Sequence, residues 1–153
     1  MHIKKLLITA VMAGITLTAV AQKQGEDERR SEQWRQASDL YQKQKYSAAQ
    51  QIYDQLASVQ EGRTDLTTAD ACYFAAVCSE KLDNNDAAYR LEEFMRLYPQ
   101  SSRGNMARFY LGNFYYTRGD YDKALSWYKQ VEYKEVEYNH RSECIFKKGY
   151  CYF

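Results

Sequence analysis

Proline is nearly missing from this sequence: Pro99 is the only one in 153 residues. A proline inside a helix costs about 3 kcal/mol, so its scarcity leaves a mostly helical chain open. Histidine is almost as rare. His2 lies near the start and His140 stands alone in a polar turn, which leaves little from which to build a general base or a metal site. The cysteines fall in two pairs, Cys72 with Cys78 and Cys144 with Cys151, and neither is a C-x-x-C zinc or redox motif. No glycine-rich phosphate loop and no G-x-S-x-G elbow is present. An excess of charge is lacking too: 21 basic side chains face 20 acidic ones, and no basic stripe marks a nucleic-acid surface. These absences lead to the expectation of no enzyme, no cofactor, no metal and no nucleic-acid partner.

What the chain does hold is tyrosine, fifteen of them. A tyrosine ring packs while its hydroxyl reaches water, which suits a thin core. On an α-helix Cys144 and Cys151 would stand about 10 Å apart along the axis, beyond the roughly 7 Å between Cα atoms that a disulfide spans. All four cysteines are therefore expected as small apolar fillers.

Residues 1–21, MHIKKLLITAVMAGITLTAVA, begin with Lys4 and Lys5, continue as an apolar run from Leu6 to Val20, and close with Ala19-Val20-Ala21. This is the pattern of a secretory signal peptide cut before Gln22. The apolar run is about 15 residues, short of the roughly 20 that cross a bilayer, so no membrane span is expected after cleavage. An exported protein follows, periplasmic or associated with the outer membrane. Residues 22–30 are polar and charged and are expected to form a disordered lead-in.

From residue 30 onward the chain repeats itself. The clearest unit, Asn105 to Tyr138, reads as helix, tight turn, helix. Gly112 on the first helix (A) and Ala124 on the second (B) are small, so the two can approach closely. Tyr115, Tyr121 and Tyr128 fill the space around that contact. Gly119 ends helix A and Asp120 is placed to cap helix B. Ala37, Ala75, Gly112 and Gly149 form one column of small residues, Ala49, Ala87 and Ala124 a second, and Tyr53, Leu91 and Tyr128 a large-residue column. Units run over 30–59, 68–99 and 105–138, with the first helix of a fourth over 142–153. Between the first two, the link from Glu61 to Thr68 offers Gly62 as a helix stop and Thr67 or Thr68 as a cap. Asn84 and Asn85 take the turn of the second unit, and Pro99 stops its helix B.

Leu111, Gly112, Tyr115, Gly119, Tyr121, Ala124 and Tyr128 fall at the signature positions of a 34-residue helix–turn–helix unit, and the pattern resembles the tetratricopeptide repeat (TPR). FMRLYPQSS resembles an ending common in bacterial envelope TPR proteins. The resemblance implies an all-α fold, a right-handed TPR-type α-solenoid of antiparallel helix pairs over residues 31–153. It also implies a groove lined by the A helices, which on this sequence draws in Trp34, Tyr41, Phe109, Asn113, Tyr116, Phe146 and Tyr150. Phe109, Asn113 and Tyr116 are expected to be exposed there, with Asn113 holding a backbone amide of a bound peptide. Tyr115 and Tyr152 are expected to pack between repeats. The Lys and Arg set of a carboxylate clamp is missing. The implied function is a non-enzymatic scaffold of the cell envelope that binds protein or peptide segments. The alternative is a self-associating repeat module, a fragment of a longer TPR protein or an accessory domain of a larger enzyme, since Ile145, Phe146 and Tyr150 meet no capping helix.

Overall fold

The computed structural model describes the backbone of residues 2–58 and 66–153, and the side chains of 22–58 and 67–153. Among the described residues the chain is entirely helical. Seven α-helices follow in order: α1 (His2–Gln42), α2 (Tyr46–Ala57), α3 (Leu66–Lys81), α4 (Ala87–Leu97), α5 (Gly104–Thr117), α6 (Tyr121–Lys129) and α7 (Arg141–Tyr150). Short 3-10 turns at Tyr133–Glu135 and Tyr138–His140 lead from α6 into α7. Each helix from α1 to α6 packs on the next. In addition α5 touches α3, and α7 rests on both α5 and α6.

The helices fall into two kinds. The even-numbered ones bury one stripe each: Ala49, Tyr53 and Leu56 on α2; Ala87, Leu91 and Phe94 on α4; Ala124 and Tyr128 on α6. The central odd-numbered ones are covered on nearly every side. On α3, Tyr73, Ala76 and Val77 belong to one core cluster, shared with α4 and α5, while Ala71, Ala75 and Cys78 belong to another, shared with α1 and α2. A helix that is apolar all round is one enclosed by its neighbours. Each large side chain sealed in this way contributes about 1.5–3 kcal/mol.

The small-residue columns sit where backbones meet. Ala37, Ala49, Ala87 and Ala124 have no exposed surface, and Ala75 has 2%. A Cβ added to Gly112 would overlap the ring of Tyr128, with the ring Cδ1 only 2.6 Å away. At Gly149, in the same column, nothing lies within 4 Å of where a Cβ would stand.

Three turns between paired helices share one geometry. Lys45 N–H donates to the Leu40 carbonyl and Gln44 N–H to that of Tyr41; Asn84 and Asp83 do the same to Ser79 and Glu80, and Asp120 and Gly119 to Tyr115 and Tyr116. This is the Schellman closure of a helix, which needs a left-handed residue at its hinge. Those residues are Gln44 (φ 58°), Asp83 (φ 56°) and Gly119 (φ 74°). In the second unit the left-handed residue is therefore Asp83, one position before the expected Asn84-Asn85. Asp120 caps α6 as expected, its side chain accepting from Lys123 N–H at 3.2 Å. α4 ends at Leu97, just ahead of Pro99.

Two further expectations are corrected. Residues 22–30 are helical within α1 rather than a disordered lead-in. Their Gln, Lys, Glu and Arg residues favour helix, and extending a helix already packed at Ala37 needs no new nucleus. Arg30 anchors this stretch through the Leu56 carbonyl (3.3 Å) and Thr68 Oγ1 (3.4 Å). Thr67 and Thr68 lie inside the first turn of α3 and do not cap it. Gly62, most of the Glu61–Thr68 link and the Val59 end of the first unit lie outside the described residues, as do the side chains of 1–21.

Candidate functional site

The seven residues singled out from the sequence divide into three groups. Phe109 and Asn113 are buried, with 0% and 1% of their surface exposed, which corrects the expectation that they are open to a partner. α7 and its lead-in cover them. The His140 ring lies 5.2 Å from that of Phe109, and Glu143 Oε1 lies 3.3 Å from Asn113 Nδ2. Trp34 and Tyr41, both half-buried, stand on α1 against Phe74 of α3, at 5.9 and 5.4 Å between ring centroids. Tyr116, Phe146 and Tyr150 come together at the far end. Tyr116, Tyr121 and Tyr150 form a triangle with centroids 5.5–5.7 Å apart and rings edge to face, and Phe146 leans on Tyr150. Tyr116 is half-buried, whereas Phe146 and Tyr150 are exposed. Tyr115 is half-buried, with Lys123 Nζ 5.3 Å from the centre of its ring, whereas Tyr152, expected to pack between repeats, is 61% exposed.

The structure also assembles a polar network that the sequence reading missed. It lies where α5, α6 and α7 meet. The Tyr128 hydroxyl donates to Asn113 Oδ1 at 2.6 Å, and Lys147 Nζ donates to the same oxygen at 3.2 Å. Lys147 also pairs with Glu143 at 2.6 Å, and Glu143 accepts from or pairs with His140 Nδ1 at 3.2 Å. The other ring nitrogen of His140 lies 3.5 Å from the Tyr110 hydroxyl. Two signals in the sequence marked this network. Asn113 is a lone amide inside the apolar run FYLGNFYY, and Glu143 and Lys147 are an i, i+4 pair.

The network sets the charge states around it. Burial alone would raise the Glu143 carboxyl, but hydrogen bonds from Lys147 and His140 outweigh it and hold the group below the usual range. Glu80 goes the other way. Burial pushes its carboxyl up, against the opposing pull of Lys81 and Lys147. Lys81 Nζ stands 3.4 Å from Glu80 Oε2, yet not in hydrogen-bonding alignment, so that buried oxygen accepts no hydrogen bond. Burial also raises the phenols of Tyr41, Tyr73, Tyr110 and Tyr128 and pushes the Cys78 thiol up to about 12. These groups stay neutral at physiological pH, and the thiol is not a ready nucleophile.

Trp34 borders a shallow depression of about 610 Å³ along α1 that also exposes Ser31 and Ser38. Among the described residues no group of three or more His, Cys, Asp and Glu could hold a metal ion. No described helix is long and apolar enough to cross a membrane. No protein-family model matches the chain, and no curated protein matches it.

Proposed function

We propose that this chain is a non-enzymatic scaffold of TPR-type helix pairs, exported to the cell envelope, that binds protein or peptide segments along its odd-numbered helices. The observation that carries this reading is the fit of Gly112 against the Tyr128 ring, repeated in kind by the buried columns at Ala37, Ala75, Ala49, Ala87 and Ala124. Periodic small-against-large packing is what a repeat fold requires. Trp34, Tyr41, Tyr116, Phe146 and Tyr150 supply the aromatic contact surface. Aromatic residues anchor protein interfaces because they bury much area with few rotatable bonds. Asn113 holds Lys147, whose Nζ lies 5.3 Å from the centre of the Tyr116 ring. Export rests on the pattern of residues 1–21, and fold class by itself says nothing of the partner.

A photo-crosslinking residue at Tyr116, with a control at the exposed Lys123, tests the reading in cells that make the protein. A discrete protein partner captured at Tyr116 and not at Lys123 supports it. Crosslinks from Tyr116 only to the chain's own helices overturn it. A second reading, a self-associating repeat module, is favoured by the exposed Ile145, Phe146, Tyr152 and Phe153 on and beyond α7 and by the open space over Gly149.

A further inference from the structure

Between α2 and α4 lies a cleft of about 350 Å³ that the reading above leaves unused. Ala75 and Cys72 of α3, together with Ala57 and Phe94, give it apolar walls. Tyr89 and Leu97 stand on its rim, 67% and 49% exposed. The volume falls within the range of binding pockets, roughly 300–1,000 Å³, and such pockets combine apolar walls with a few placed polar groups. Here the polar groups are of one kind. Asp54, Asp86 and Glu93 face a single base, Arg90. Arg90 already bridges Asp54 at 2.8 Å and Asp86 at 2.6 Å, tying α4 to α2. Arg96 lies outside the cleft and holds Glu93. The Asp54 and Asp86 side chains remain 41% and 49% exposed, and each carboxylate can accept several hydrogen bonds at once.

We propose that this cleft is a second docking site, for an amphipathic protein segment that inserts a large apolar side chain and sets a lysine or arginine beside it against Asp54 and Asp86. The apolar walls take the side chain, and the surplus of carboxylates selects its neighbour. Opposite charge steers such a segment in, while an acidic one is repelled. The site is separate from the Tyr116–Phe146–Tyr150 surface and shares no residue with it.

The test uses the whole chain and two amphipathic helical peptides, one of leucine and lysine, the other of leucine and glutamate in the same pattern. The rate at which a neutral reagent modifies Cys72 reports occupancy, and half-buried Cys151 on the α7 side serves as the internal reference. The Leu/Lys peptide is expected to slow Cys72 several-fold and leave Cys151 unchanged, and the Leu/Glu peptide is expected to do neither. Ala57→Trp, which fills the cleft from one of its walls, is expected to weaken binding about tenfold. Glu93→Gln, which removes the charge of a half-buried lining residue and keeps its shape, is expected to weaken it about twofold and to flatten its dependence on salt. Equal protection by both peptides, protection of Cys151 in place of Cys72, no protection by either, or binding indifferent to both substitutions would each overturn the proposal.

Discussion

Two glycines of one column make opposite predictions. Gly112→Ala drives a methyl group into the Tyr128 ring, and overpacking of this kind costs about 1–3 kcal/mol. Gly149→Ala meets open space and trades the worst ordinary helix former for the best, a gain of up to about 1 kcal/mol. Urea titration of the two variants is expected to move the midpoint in opposite directions. Equal shifts would show that the ring of Tyr128 yields. Glu80 and Glu143 likewise act in different pH windows. The folded-state pKa of Glu80 is raised, so its stabilising contribution is full below its unfolded value, about 4.3, and is lost as pH rises through the folded value. Glu143 is lowered, so its contribution is present above about 4.3 and is lost as pH falls through the folded value. Glu80→Gln is thus expected to raise Tm at neutral pH relative to the parent and to leave acid unfolding in place. Glu143→Gln is expected to lower Tm at neutral pH and to blunt acid unfolding. Thermal melts from pH 3 to pH 8 separate them, and identical profiles would remove the sign difference on which both rest.

Among the elements, the three Schellman turns differ only in the residue at the hinge. Gly119 adopts its left-handed conformation freely, whereas Gln44 and Asp83 carry a Cβ in that region, at a cost of roughly 1–2 kcal/mol that asparagine and aspartate partly avoid. Gln44→Gly is expected to stabilise the chain by about 0.5–1 kcal/mol, and Gly119→Ala to destabilise it by about 1 kcal/mol. If Gln44→Gly lowers the denaturation midpoint, the turn is not the source of strain. The paired elements were legible because their signals are local. The Gly119 stop, the Asp120 cap and the Pro99 terminator each act on the backbone within one turn. The hinge at Asp83 was harder to read, because Asp83, Asn84 and Asn85 all tolerate left-handed geometry and only the closing hydrogen bonds choose among them.

For the molecule as a whole, the surface over α7 differs in kind from the rest. Ile145, Phe146 and Tyr150 are 56%, 67% and 50% exposed, while Phe109 and Asn113, one repeat earlier on α5, are covered by α7 and its lead-in. An apolar patch of this sort draws a partner surface. Sedimentation of the chain is expected to show association that rises with concentration and is abolished by Phe146→Asp. A monomer at every concentration would leave the patch as a site for other partners alone. The candidate site was legible only in part, for a reason of scale. Trp34, Tyr41, Tyr116, Phe146 and Tyr150 keep accessible surface, but Phe109 and Asn113 do not. A position along a helix says which residues share a face. It does not say how far the next helix slides over that face.

Composition and spacing by themselves determined that the described residues are helical, that successive helices pack on one another, and, Gly149 excepted, which small residues are sealed between them. Those properties depend on backbone propensity and on side-chain size within a turn or two. Tertiary structure alone decided that α3 and α5 are enclosed on nearly all sides, that Asn113 is a buried hub tied to Tyr128, Glu143 and Lys147, and that a cleft opens between α2 and α4. Each of these needs helices from different pairs to be set beside one another, and burial and charge pairing across such distances follow from that placement rather than from neighbours in the chain.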